Sequence, residues 1–164
     1  MDYSSLSNSL RHMDFSGLSE EEVIYGLLFA VGNKLQASAD KVIPEITSRQ
    51  HFLLIVLSVL KDKCPSLNEV AQAVGSSYQS VKKMTDNLEK KGFITLKRDA
   101  VDSRKYNISM TDKFAAFSEV VGEEAKNFMQ DLYQGLTKED LRHAIAVLAQ
   151  MELNLNEKTK SKGH

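Results

Sequence analysis

Gln79, Lys82 and Lys83 lie within about one turn of each other on a short amphipathic segment, and Arg104 follows on a polar loop. A glutamine amide donates and accepts at once, which suits the edge of an adenine. The ammonium of Lys82 or Lys83 can reach guanine or a phosphate. A guanidinium on a loop fits a narrow, electronegative minor groove. Ser76, Ser77 and the backbone N–H groups of a helix's first turn can hold a phosphate. Ser76 and Gln79 also stand in the S-x-x-Q order of a helix cap, a role compatible with such contact. Tyr78 can touch a thymine methyl or a phosphate, or pack at the edge of a core. Asp102 can pair with Arg104 and hold it outward; alternatively the two form an exposed surface ion pair of little energetic worth. Ser66, Ser80, Lys97, Arg98 and Lys105 complete the candidate DNA contacts.

The elements that must position these side chains are legible from caps and periodicity. Ser66-Leu67-Asn68-Glu69 is a capping box, and Leu67, Val70, Ala71 and Val74 form one face of a short helix. Gly75 ends it with the positive φ that a helix C-terminus favours. In the next helix Val81, Met84 and Leu88 face inward, which turns Gln79, Ser80, Lys82, Lys83, Asp86 and Asn87 outward. Gly92 ends that helix. Residues 93–98 and 106–110 alternate with period two and read as a hairpin around the polar segment 99–105. This order is a helix-turn-helix with a β wing, an arrangement that can place a helix in the major groove and a loop in the minor groove.

Charge agrees with that order. The 164-residue chain carries a net charge of only −1. Residues 76–105, however, hold eight basic side chains against four acidic ones, a net +4. Every other segment is negative: −2 over 1–65, −1 over 66–75 and −2 over 106–164. Phosphate binding needs a local patch rather than a high overall isoelectric point.

The flanks read as helices. Residues 1–18 are polar and expected to be loosely ordered. Ser19-Glu20-Glu21-Glu22 is a capping box ahead of Val23, Ile24, Leu27, Leu28, Val31 and Leu35 at helical spacing, with an end expected near Asp40. Thr47-Ser48-Arg49-Gln50 opens a helix that is apolar nearly all round from Phe52 to Leu60, as expected of a central, buried helix. Thr111 starts a long helix with Phe114, Phe117, Val121, Phe128 and Leu132. Gly135 and Thr137 mark a break before Leu141, Ile145, Leu148, Met151 and Leu155. From Asn154 the chain turns polar and lysine-rich and is expected to fray.

The fold expected is therefore mainly α: a winged helix-turn-helix over 46–111 with a two-stranded β wing. It is flanked by an N-terminal arm and dimerisation helix over 1–45 and C-terminal dimerisation helices with a polar tail over 112–164. A two-fold homodimer would bury the apolar arms and address two half-sites of duplex DNA about one turn apart.

Residues 66–111 resemble the DNA-binding core of the MarR (multiple antibiotic resistance regulator) family. The likeness rests on Leu-x-Glu-Val-Ala-x-x-Val-Gly-x-Ser at 67–77 and Val-Lys-Lys-Met-Thr-Asp-Asn-Leu-Glu-Lys-Lys-Gly-Phe-Ile at 81–94. Asp102-x-Arg104 and Met110-Thr111 extend it, and the arms bring it to about residues 20–155. The resemblance implies a homodimer joined by its terminal helices, binding to a pseudo-palindromic operator, usually repression, and in many members relief by a small-molecule effector, a metal ion or an oxidant. Two positions depart from the family pattern: Ser103 where a second arginine is frequent, and Arg98 where a proline often follows the first strand.

Other chemistry is thinly represented. Ser/His/Asp, Cys/His and phosphate-loop constellations are absent from the sequence, so an enzyme is disfavoured and no cofactor is expected. The single cysteine, Cys64, lies near Lys61 and Lys63; redox sensing would need a depressed pKa and exposure. Glu139 and His143 stand four apart on the last helix and could share a metal or simply form a surface pair. The longest apolar run, 52–57, is far short of the ~20 residues of a membrane span, and the first residues lack a secretory pattern, so a cytoplasmic location is expected. The alternative to DNA reading is a winged helix used for protein–protein assembly.

Overall fold

The computed structural model describes residues 15–60, 65–99 and 106–161. Six helices and one hairpin follow in order: α1 Glu20–Val42, α2 Ser48–Leu60, α3 Leu67–Ala73, α4 Tyr78–Lys90, β1 Ile94–Arg98, β2 Tyr106–Met110, α5 Asp112–Leu132 and α6 Lys138–Ser161. The chain divides into two compact units, one through Glu124 and one from Ala125 onward.

Local sequence sets the helix starts. Ser19 and Glu22 cap α1 reciprocally, at 2.8 and 3.3 Å. Thr47 and Gln50 do the same for α2, at 3.1 and 3.3 Å. Ser66 and Glu69 cap α3, at 2.6 and 3.2 Å. Thr137 and Asp140 cap α6, the Thr137 N–H donating at 2.8 Å and the Asp140 N–H at 3.1 Å. Each box satisfies two N–H groups that the helix leaves without carbonyl partners. α1 and α2 are also stitched together: Asp40 accepts the Ser48 N–H at 2.6 Å, a bond that lowers the Asp40 pKa.

In the first unit Leu53, Leu54 and Leu57 of α2 meet Leu67 and Val70 of α3, Val81 and Leu88 of α4, and Phe93, Ile94, Phe117 and Val121 in one buried core. Phe93 and Phe117 pack edge to face with centroids 5.1 Å apart, and each fully buried side chain of this size contributes about 1.5–3 kcal/mol. β1 and β2 pair antiparallel, with Ile94 opposite Met110 and Arg98 opposite Tyr106. Thr111 closes the hairpin. Its hydroxyl donates toward Gly92 O at 2.6 Å and Phe93 O at 3.1 Å, and accepts the Phe114 N–H at 3.4 Å, so one side chain joins the end of α4 to the start of α5.

Three expectations are corrected. α2 is buried along one face only: Phe52, Ile55 and Val59 are exposed, Val59 at 76%. An all-apolar helix has two faces to cover, and neighbouring elements of its unit cover one. Met84 is half-buried, whereas Thr85 is fully buried, its hydroxyl bonded to Val81 O and Lys82 O, which makes it compatible with the core. α6 continues through Asn154 to Ser161 as regular helix.

Candidate nucleic-acid interface

α3 and α4 meet at a turn built by Gly75. Its φ of 62° lets the Ser76 N–H reach Ala71 O at 2.9 Å and the Gly75 N–H reach Gln72 O at 3.1 Å. This pair of bonds closes α3 as a Schellman motif and commits Ser76 to the end of α3. The cap of α4 therefore falls on Ser77, not on Ser76 with Gln79. Ser77 Oγ accepts the Ser80 N–H at 3.2 Å and donates to Ser80 Oγ at 2.9 Å. Ser76 is half-buried, while Ser77, Tyr78, Gln79 and Ser80 are exposed. The first turn of α4 thus presents hydroxyls, an amide and backbone N–H groups to solvent.

Val81, Thr85 and Leu88 are fully buried, and that anchors the phase of α4. The opposite face is a shallow groove lined by Tyr78, Gln79, Lys82, Lys83, Asp86, Asn87 and Lys90. Tyr78 is 45% exposed, so it stands on this face rather than in the core. Lys82 Nζ lies 2.5 Å from Asp86 Oδ1, with both side chains a little over one-third exposed. Hydrogen bonding to Asp86, foremost, raises the Lys82 pKa against desolvation, and the nearby charge of Asp86 adds to the rise. Lys83, one residue on, is exposed and has no ion pair among the described residues.

The hairpin is seated against α4 by Glu89, whose Oε1 accepts the Leu96 N–H at 2.9 Å. Along β1 the chain passes from buried Ile94 to exposed Lys97 and Arg98, so the positive end of the strand leads into the wing loop. At the base, Lys91 Nζ donates to Glu45 O, and Lys113 Nζ pairs with Glu45 Oε2 at 2.8 Å while lying 4.6 Å from the Phe93 ring centroid. Glu45 holds a φ of 64° to make these contacts.

No family model matches the chain. The HTH-type transcriptional regulator PapX of Escherichia coli is 25% identical over 119 residues, 71% of this chain and 73% of PapX. A crystal structure of the S. aureus MepR–DNA complex matches with a TM-score of 0.70 at 25% identity, over 84% of this chain and 99% of that one. A MarR protein of Peptoclostridium difficile matches with a TM-score of 0.68 at 22% identity, over 92% and 97% of the two chains. The chain shares the winged-helix fold of these regulators.

Within this fold, the structure brings Tyr78, Gln79, Lys82 and Lys83 to one face, with Ser77 and Ser80 at the helix start. Lys97 and Arg98 stand apart from it on the wing strand. Ser66 is half-buried, and its hydroxyl and N–H are both engaged in the α3 cap. Asp102, Arg104 and Lys105, like Cys64, Lys61 and Lys63, lie outside the described residues. Lys90, Asp86 and Asn87, which are not among the sequence candidates for DNA contact, line the same groove. The signal was available: Gln79, Lys83, Asp86 and Lys90 repeat at four, three and four residues, one stripe of a helix. Among the described residues no group of three His, Cys, Asp or Glu is placed to hold a metal ion.

Proposed function

We propose that this chain is a sequence-specific, DNA-binding transcription regulator that acts as a repressor at a pseudo-palindromic operator. The observation that carries the reading is the outward face of α4, where an amide and lysines stand on a capped helix in a fold shared with a protein solved on DNA. α4 enters the major groove, Gln79 and Lys83 meet base edges, Ser77 and Ser80 meet a phosphate, and Lys97 and Arg98 approach the backbone beside the wing. Asp102, Arg104 and Lys105 continue that contact into the minor groove. Catalysis has no part in this reading, whose relatives are transcription regulators.

The working unit in this reading is a homodimer. Ile24, Leu28, Val31 and Leu35 recur at helical spacing on α1 and remain 39–53% exposed. Ile145, Leu148 and Leu155 do so on α6, at 49–66%. Such stripes call for burial against a second copy, and the dimer sets two α4 helices for two half-sites. The protein works in the cytoplasm with its DNA; no described helix is long and apolar enough to cross a membrane. Release of the operator by a small-molecule effector is the part of this reading that rests on the family resemblance alone.

Selection of bound sequences from random duplex DNA tests the reading. A palindromic site should emerge, with affinity falling steeply as salt rises. Gln79→Ala should weaken operator binding by about 1–3 kcal/mol and relax preference at one position of each half-site. Enrichment of no sequence, or a Gln79→Ala protein with unaltered preference, overturns it.

A further inference from the structure

Lys82 and Lys83 are adjacent, yet the structure treats them differently. Lys83 has no ion pair among the described residues, whereas Lys82 is held by Asp86 one turn further along α4. Asp86 lines the same groove as Gln79 and Lys83, the face read above as approaching DNA. A carboxylate there is repelled by phosphates. Helix stability does not account for it: aspartate is a poor former in a helix interior, and acid before base is the favourable order for pairs four apart, the reverse of the order here. The pair also forms on the half-exposed shoulder of the face rather than in full solvent.

We propose that Asp86 is a specificity-determining residue that acts by clamping Lys82. The inference rests on the DNA-binding reading. A free lysine on this face would swing its long stem to the nearest phosphate and add affinity for any sequence. Held by Asp86, the Lys82 ammonium keeps its remaining N–H donors over the groove, beside a carboxylate acceptor. A donor and an acceptor side by side match the alternating groups that base edges offer in the major groove, while the pair's cancelled charge weakens its pull on a phosphate. The Lys82–Asp86 pair thus lowers indiscriminate binding while contributing to base reading.

The experiment compares wild type, Asp86→Asn, Lys82→Ala and the double variant on the selected operator and on a scrambled duplex of equal length, over a salt series. Asp86→Asn is expected to tighten scrambled binding, to steepen its log–log salt slope by about one as a further ammonium meets phosphate, and to cut the operator-to-scrambled ratio on the order of tenfold. In the Lys82→Ala background the same substitution should leave the slope unchanged, and Asp86→Glu should recover part of the ratio. An unchanged ratio and slope in Asp86→Asn overturn the inference. So does an equal change in the Lys82→Ala background, which would mark simple removal of a negative charge. Wild type that binds no duplex overturns the DNA-binding reading and this inference together; wild type that prefers its operator while Asp86→Asn is silent overturns this inference alone. Thermal midpoints of all five proteins should agree, since the pair is partly exposed and lies outside the core.

Discussion

His51 sits half-buried on α2, its ring 6.2 Å from that of Phe117 at a steep angle. Burial penalises its charged form and lowers its pKa from 6.5. Well above 6.5 the ring is neutral in both folded and unfolded chains and has no effect on the pH dependence. As pH falls through 6.5 toward the depressed folded value, the unfolded chain takes the proton first and stability is lost. Urea midpoints should therefore drop between neutral and mildly acidic pH more steeply in wild type than in His51→Gln; parallel profiles would remove His51 from the account. Residue-scale chemistry was unevenly visible in the sequence. Outward Gln79 and Lys83 follow from the helix phase alone. The engagement of Lys82 by Asp86 does not, because Asp86, Asn87 and Glu89 all lie on turns neighbouring a lysine and only side-chain placement chooses among them.

Among elements, the turn between α3 and α4 has the most to fix with the fewest residues. A Cβ on Gly75 would meet nothing within 4 Å, so the cost of adding one is that of its backbone angle. Gly75→Ala should destabilise the protein by about 1–2 kcal/mol, and Gly75→Asn by less, in equilibrium unfolding. Equal stability of Gly75→Ala would mean the turn adopts another geometry. The two serines that follow separate just as cleanly. Ser77→Ala should cost roughly 1 kcal/mol as a lost cap, and Ser76→Ala much less, because Ser76 serves the turn through its backbone N–H. Capping boxes at Ser19, Thr47 and Ser66 were readable because both partners lie three residues apart. The choice of Ser77 over Ser76 was not, since it depends on how the preceding helix ends.

For the whole molecule, the apolar side chains that remain in solvent matter more than those in the core. The winged-helix order and its charge were legible from caps, glycines and alternation. The one-sided burial of α2 was not, because composition records how apolar a helix is and not how many partners share it. If the α1 stripe joins two copies, Leu28→Lys should convert a dimer into a monomer near 18.4 kDa in sedimentation. It should also weaken operator binding roughly a hundredfold or more, as the second half-site ceases to be tethered. A dimer that persists in Leu28→Lys would move the interface elsewhere.

The bond from Glu89 to Leu96 has a consequence beyond seating the wing. Among the described residues β1 and β2 form a two-stranded sheet, and the outer margin of such a ribbon can accept an extended chain with free N–H and C=O groups. Here the Leu96 N–H on that margin is already taken by a carboxylate. An arriving strand would have to displace a charged acceptor to make its ladder bond at Leu96. The side chain that orients the hairpin thus also blocks one ladder position on that margin against another strand.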